Sequence, residues 1–544
     1  MNIKFNTKIY NLKNLITFLF LSIILFFFFN LYLYHQINFF YSSGDSAFFV
    51  DLIDELGKTN KFDSSIYRAH LSIFPYLIAE HQDYCSFKLH DAKYVPNMLI
   101  HGHLYFIAYL ISLFVKLGLP ALKVSSFLFA ASYALILYSI FNFLKNKINI
   151  FVVILFVVTI ISWAPLSLGL VHWFYFDKLF ILPMILLIFS YYNYFTYYNI
   201  YSDKNKNCVI QIILLSILTS LIHERALFMV GVFLVTYSLL MTNFKFYKDK
   251  NVLTILLLGS FLILLYLLYS KTIQDSWYAG SITVEQMKYN FFNLFTNDLY
   301  GKKSLKLFFI VLPLMIISLK NKRLFLIACI SLLPQFLVTV GGAEKTALST
   351  HYHAFYVPFV VAAAVIGFYE YYKAGKKINK IIIFCLLPII IIFNSYYDYN
   401  NIEKTFSFTK KDPSRINFFK SVTHIFHTKR NESNFNKYFL PNKKIKDQIL
   451  ENSSISAPEG FTPHLATYNI KVDYFPIGVG THDYLLAEFK RKNGIDLLKI
   501  PSFLSIDEKK LISECIMNKI NKKYNLINED VDVYGDGIKF YKMK

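Results

Sequence analysis

Charge is scarce in this sequence. Only 17% of its 544 residues are Asp, Glu, Lys or Arg, where soluble domains carry about 25%. A chain so short of charge, with 55% hydrophobic residues and a mean hydropathy of +0.41, does not dress itself for water. Cysteine is scarce too. Cys85, Cys208, Cys329, Cys385 and Cys515 form no CxxC pair, and three lie in apolar or juxtamembrane runs. Neither a zinc site nor a disulfide framework is expected from that pattern. The first apolar run, 15–33, follows Lys4, Lys8 and Lys13, yet no A-x-A cleavage site follows it. It is too long for a cleaved signal and reads as a retained signal anchor. An internal repeat is also missing, as are polar interruptions near the middle of the apolar runs.

What is present is a succession of apolar runs, several reaching the ~20 residues that cross a bilayer. Candidate spans are 15–35, 122–144, 148–166, 178–198, 208–222, 225–242, 252–270, 304–319, 323–341, 352–372 and 379–396. The expected fold is therefore a mainly α, polytopic membrane protein of about eleven spans. The net charge of +21 would suggest nucleic acid in a soluble protein. Here the cations sit in short inter-span loops, so membrane topology and anionic lipid headgroups account for them, and no nucleic-acid partner is expected.

With the N-terminus inside, every second loop is a lysine cluster: Lys145/Lys147, Lys204/Lys206, Lys245/Lys248/Lys250, Lys320/Lys322/Arg323 and Lys373/Lys376/Lys377/Lys380. This alternation follows the positive-inside rule. It requires that the apolar segment 103–118 not cross the membrane, and a re-entrant or interface-lying helix fits there. Lys302, Lys303 and Lys306 fall at an outer end and break the rule, as exceptions or as groups for an anionic ligand. The expected organisation is a transmembrane domain over 1–396, interrupted by a long first outer loop at 41–121. A soluble α/β domain on the outer side follows over 397–544, with β-like runs at Ser454–Ser456, Tyr484–Ala487 and Ile538–Tyr541 and a helix over Ile506–Lys522.

That topology gathers the ionisable residues at one set of span ends. Asp45 and Asp51 follow the first span, and His101 and His103 close the long loop. Asp177 opens the fourth span, His223-Glu224-Arg225 joins the fifth to the sixth, and Glu344, Lys345, His351 and His353 lead into the tenth. Ionisable groups at membrane depth cost about 2.5–3.5 kcal/mol at a span's centre, and less near its ends. Each also has a structural reading. Asp45 suits the N-cap of a helix over 46–56, and Asp177 a dipole-favoured helix start. Glu224-Arg225 reads as a self-neutralised turn, and the two histidines as interfacial residues beside Tyr352. Their joint placement on one face is what points to chemistry.

A long first outer loop opened by an acid, with a second acid at the outer start of a later span, resembles the GT-C superfamily of membrane glycosyltransferases. The chain looks most like an uncharacterised bacterial family of predicted membrane proteins within that superfamily. The stretches that carry the resemblance are GDSAFFVDLIDEL (44–56), HGHLYFIAYLISLFVKLGLP (101–120) and FYFDKLFILPMILL (174–187). They continue with LIHERALFMVGVFLV (221–235), HYHAFYVPFVVAAAVIGF (351–368), SISAPEGFTPHLATYNIKVDYFP (454–476) and HDYLLAE (482–488). Relatives often read Lys-Glu-Asp where this chain reads His223-Glu224-Arg225.

The resemblance implies a GT-C-like fold and transfer of a sugar from a polyprenyl-phosphate donor to a glycan, lipid or protein acceptor. The setting would be the outer face of a bacterial cytoplasmic membrane. Such a displacement needs a base for the acceptor hydroxyl and cations for the leaving phosphate. Asp45 is the implied base, with Asp177 as the second catalytic acid. Arg225, with Lys345 or Lys302/Lys303, would receive the phosphate. Glu224, His103, His351 and His353 would bind substrate. A divalent metal, with Asp45, Asp177, His101 and His103 as candidate ligands, stays open in presence and identity. The rival readings are a transporter or lipid flippase, and a non-catalytic membrane assembly protein. Transporters usually place broken helices and polar residues near the midplane, often in repeated halves, and this chain does neither.

Overall fold

The computed structural model describes residues 17, 19–29, 44–62, 64, 105–145, 147–163, 165–166, 175–197, 204–272, 284–294, 299–337, 353–375, 449–450, 452–458, 461, 465, 470–492, 494–498, 506–531 and 536–544. The chain forms two compact units. One comprises Met1–Tyr32, Leu99–Ile107 and Phe127–Thr423, and the other Leu33–Met98, Ala108–Ser126 and His424–Lys544.

Helices appear where the apolar runs predict them: α1 (Leu19–Phe29), α2 (Gly44–Thr59), α3 (Phe106–Lys116), α4 (Ala121–Leu144) and α5 (Ile150–Ser162). A 3-10 turn at Phe176–Phe180 leads into α6 (Ile181–Tyr197), followed by α7 (Lys204–Ser220), α8 (Glu224–Met241) and α9 (Lys250–Thr272). Then come α10 (Val284–Phe292), α11 (Leu299–Ser318), α12 (Lys322–Leu337) and α13 (Val357–Lys373). Among the described residues, four helical stretches are long and apolar enough to cross a membrane: Ala121–Leu144, Phe176–Thr196, Glu224–Met241 and Lys250–Lys271. The protein is thus mainly helical with at least these membrane-crossing candidates. The larger count of eleven is not carried by helix length, because the helices at 19–29, 150–161, 207–220 and 304–318 are shorter, and 379–396 lies outside the described residues.

The helix starts are set by side chains that occupy orphan backbone N–H groups. Asn149 Oδ1 accepts from Phe151 N at 3.0 Å, Asp249 Oδ1 from Asn251 N at 2.9 Å, and Asn321 Oδ1 from Leu324 N at 3.1 Å. Helix α13 is buried on every side from Val357 to Phe368, the mark of a central helix rather than a surface one. Its Gly367 lies against the Ile317 carbonyl of α11, where a Cβ has no room. Helices α8 and α9 cross backbone to backbone in the same way: a Cβ on Gly231 would stand 2.7 Å from the Gly259 oxygen. Small residues at such crossings let membrane helices pack closely without a hydrophobic driving force.

The two ends of this helical unit differ in chemistry. At one end Lys147 sits 3.6 Å above the Phe143 ring and 4.8 Å from that of Tyr369. There Glu370 accepts from Tyr192 Oη at 3.1 Å and Asn321 Nδ2 at 2.8 Å, and Tyr194 Oη donates to Asp249 at 3.1 Å. These contacts bring together loops that carry the lysine clusters. The opposite ends of the same helices gather Tyr105, Phe176, His223 and Phe355.

In the second unit, a six-stranded sheet has the order β2 (Lys471–Tyr474), β1 (Ser454–Ala457), β3 (Tyr484–Lys492), β6 (Asp536–Met543), β5 (Tyr524–Val531), with β4 (Ile495–Leu498) paired to β3. β1 runs parallel to β2 and β3, and the remaining pairs are antiparallel. One face buries Leu485, Ala487, Phe489 and Tyr541 against Ile512, Ile516 and Ile520 of α14 (Ile506–Lys523). The other face buries Ile455, Leu486, Ile538 and Phe540. α2 belongs to this unit, with Gly57 placed so closely against Val115 of α3 that no side chain fits between them. α3 has 11 residues, about 16 Å of helix, too short to span the ~30 Å of a bilayer core. One expectation is corrected here. Cys515 is buried and engaged in a disulfide, while Cys208 and Cys329 are free.

Candidate functional site

The site candidate lies at the lysine-poor end of the helical unit and is built by the start of α8. His223 is the N-cap residue of that helix, in extended conformation, and its Nδ1 accepts from Arg225 N at 2.9 Å. That bond settles the tautomer of the neutral ring: with Nδ1 accepting, the proton sits on Nε2. Nε2 lies 3.2 Å from Asp177 Oδ1, an ion-pair contact and not an aligned hydrogen bond. Glu224 Oε2 comes within 3.2 Å of Nδ1 from the other side. Asp177, His223 and Glu224 are all 1% exposed. The ring is held edge-on by Tyr105 at 4.9 Å and by Phe355 at 5.5 Å between centroids. Tyr105 also touches Phe176, and Phe355 touches Phe180. Four chain segments therefore converge on one imidazole.

Lys178 is equally buried, directly beside Asp177, with its ammonium 5.1 Å from the Tyr175 ring. Ionisable groups at such depth are costly unless they compensate one another.

The sequence-predicted residues divide as follows. Asp177 and Glu224 are brought together, through His223. Arg225, next on the helix, is partly exposed, and its charge and that of Glu224 both reach Tyr266 of α9. His353 is buried, with Nδ1 2.9 Å from Tyr356 Oη, two residues before the Phe355 that contacts His223. Asp45 lies in the first turn of α2 rather than ahead of it, and its side chain is outside the described residues. His101, His103, Lys345 and His351 lie outside the described residues as well, as do the side chains of Lys302 and Lys303. Among the described residues no group of three or more His, Cys, Asp or Glu is arranged to hold a metal. The reason at this site is visible: His223 stands between the two carboxyls instead of joining them around a shared point, and its Nδ1 is taken by a backbone N–H.

Sequence reasoning missed the bridging role of His223 and the burial of Lys178. The signal for the second was its place beside Asp177 at the start of an apolar run. No protein-family model matches the chain, and no curated protein is significantly similar to it.

Proposed function

We propose that the chain is an integral membrane glycosyltransferase that moves a sugar from a polyprenyl-phosphate donor to an acceptor hydroxyl. The observation that carries this reading is the buried Asp177–His223–Glu224 cluster with Lys178 beside it, at one end of a bundle of apolar helices. In a receptor or assembly protein the same groups would serve structure alone. A flippase would be expected to place such groups along a path through the middle of its spans.

The proposed chemistry is a displacement at the anomeric carbon. The acceptor oxygen forms a bond to that carbon as its proton passes to a carboxylate. The bond from the carbon to the phosphate oxygen breaks, and the phosphate departs with the electron pair. Asp45 and Asp177 are the candidate acids for proton transfer. Arg225 is the candidate cation for the phosphate, through its bidentate fork, with Lys345 or Lys302/Lys303 beside it. His223 is a positioning residue, since both ring nitrogens are engaged within the protein. Glu224 and His353 complete the polar lining, with His103, Lys345 and His351 proposed from the resemblance alone.

The proposed setting is a bacterial cytoplasmic membrane crossed about eleven times. The lysine loops would lie inside, and the C-terminal domain outside. The disulfide at Cys515 supports that orientation, because such bonds persist in oxidising compartments. The test is direct. Purified protein is incubated with a panel of polyprenyl-phosphate sugars and candidate acceptors, and the release of polyprenyl phosphate is read by mass spectrometry. Release that disappears in both Asp45→Asn and Asp177→Asn supports the reading. Absence of release from every donor by the wild type overturns it.

A further inference from the structure

Helix α10 is built unlike its neighbours in the helical unit. Among its described side chains the buried one is polar: Asn290, whose Nδ2 donates to the Leu337 carbonyl at the end of α12 at 2.7 Å. Side chains step round a helix by about 100° per residue, and exposure on α10 rises with angular distance from Asn290. Met287, about 60° away, is 37% exposed, and Tyr289 and Phe291, about 100° away, are 61% and 57% exposed. Phe292, about 160° away, is 77% exposed. Lys288 and Glu285 share that outer arc and are exposed as well. One amide therefore ties α10 down, and three aromatic rings and a thioether turn outward.

The point of attachment identifies what receives them. α12 turns Ile327, Ala328, Ser331 and Gln335 into the unit, while Leu326, Ile330 and Leu333 are exposed at spacings of four and three, an apolar stripe on its outer side. Leu337, four residues on, continues that stripe and holds Asn290. At the other end of α12, Arg323 reaches Met241 and Asn243 at the end of α8. The two helices pack side by side, so Leu337 lies toward the start of α8, at the lysine-poor end of the unit. α8 is long and apolar enough to cross a membrane, and α10 is fastened where the lipid-facing stripe beside it runs out. We infer that α10 is a membrane-interface anchor, whose partner is the boundary between lipid headgroups and acyl chains. Aromatic rings concentrate at that level, and a tyrosine there keeps its hydroxyl in water. Lys288 can lay its stem along the apolar boundary and extend its ammonium to lipid phosphates. The nine residues of α10 make about 14 Å of helix, too little for the ~30 Å core, so it lies on the membrane and does not cross it. The anchor does not depend on the glycosyltransferase reading.

Spin labels read the depth of α10 directly. The full-length chain, with the free Cys208 and Cys329 replaced by serine, is labelled at Phe292→Cys and reconstituted into vesicles of phosphatidylethanolamine and phosphatidylglycerol. The signal of the chain without the added cysteine is subtracted. Collision rates with oxygen and with a water-soluble nickel chelate then give the depth. Labels at Phe261→Cys, exposed near the middle of α9, and at Lys248→Cys, exposed in a lysine loop, mark the acyl chains and the water. The label at 292 is expected about 5–10 Å into the headgroup and acyl boundary, against about 15 Å for the label at 261. Nickel collisions as frequent as at 248 would place it in water, where a carbohydrate could stack on the rings. Exclusion of both reagents would place it against protein, such as a second copy of the chain. Either result, or a depth equal to that at 261, would overturn the anchor. Should the first variant fail to fold, Phe291→Cys decides by the same readings.

Discussion

Replacing His223 by alanine strikes two structural functions at once, and they can be separated. The ring caps α8 through Nδ1 and stands between Asp177 and Glu224, 3.2 Å from each carboxyl. Loss of a capping side chain costs about 1 kcal/mol. Hydrogen bonds between membrane helices contribute about 0.6 kcal/mol on average and up to about 1.7. The imidazole removed here is a polar neighbour at 3.2 Å of a carboxyl that is 1% exposed, and leaving that buried group less compensated adds about 1–3 kcal/mol. His223→Ala should therefore lower stability by about 3 kcal/mol or more. His223→Asn keeps a capping oxygen but is too short to bridge to Asp177, and should recover about 1 kcal/mol of that loss. Equilibrium unfolding in mixed micelles, followed by circular dichroism, measures both. If His223→Ala unfolds with the wild type, or if Asn is no better than Ala, the bridge-and-cap account of this residue is wrong.

Two further outcomes are expected. Gly231→Val should separate α8 from α9, because its first side-chain carbon would stand 2.7 Å from both the Gly259 oxygen and Ile263 Cγ1. A loss of about 1–3 kcal/mol is expected from such overpacking, readable by the same unfolding assay, and wild-type stability would contradict the close crossing. Alkylation of the denatured protein without reductant should label Cys208 and Cys329 and spare Cys515, which peptide mapping should recover in disulfide linkage. Labelling of Cys515 under those conditions would contradict the disulfide and withdraw its support for an outer location.

Much of the helical unit was legible because lipid-facing helices must be apolar for their whole length, and polar caps stand out against them. Asn149, Asp249 and Asn321 mark three such starts. Strands β1, β3 and β6 were legible from their β-branched and aromatic residues. Strands β2, β4 and β5, which read KVDY, IDLL and YNLINEDV, were not, because short strands rich in charge resemble loops until a neighbour pairs with them. The site was half legible. Position at span ends pointed to Asp177 and Glu224, but no local pattern shows that His223 reaches Asp177 across the unit. The disulfide at Cys515 was not legible either, since no CxxC spacing marks it. The placement of α2 in one unit with the C-terminal sheet is a further contact that neither composition nor periodicity encodes.

The central claim rests on Asp177 as a working group and not a structural one. The most direct measurement is the single-turnover rate of sugar transfer from a polyprenyl-phosphate donor, compared between the wild type and an Asp177→Asn variant whose helical content and unfolding midpoint match it. The account predicts a fall of about 10²–10⁴-fold, the range contributed by a positioned acid or base. Transfer at the wild-type rate by the folded variant would contradict it.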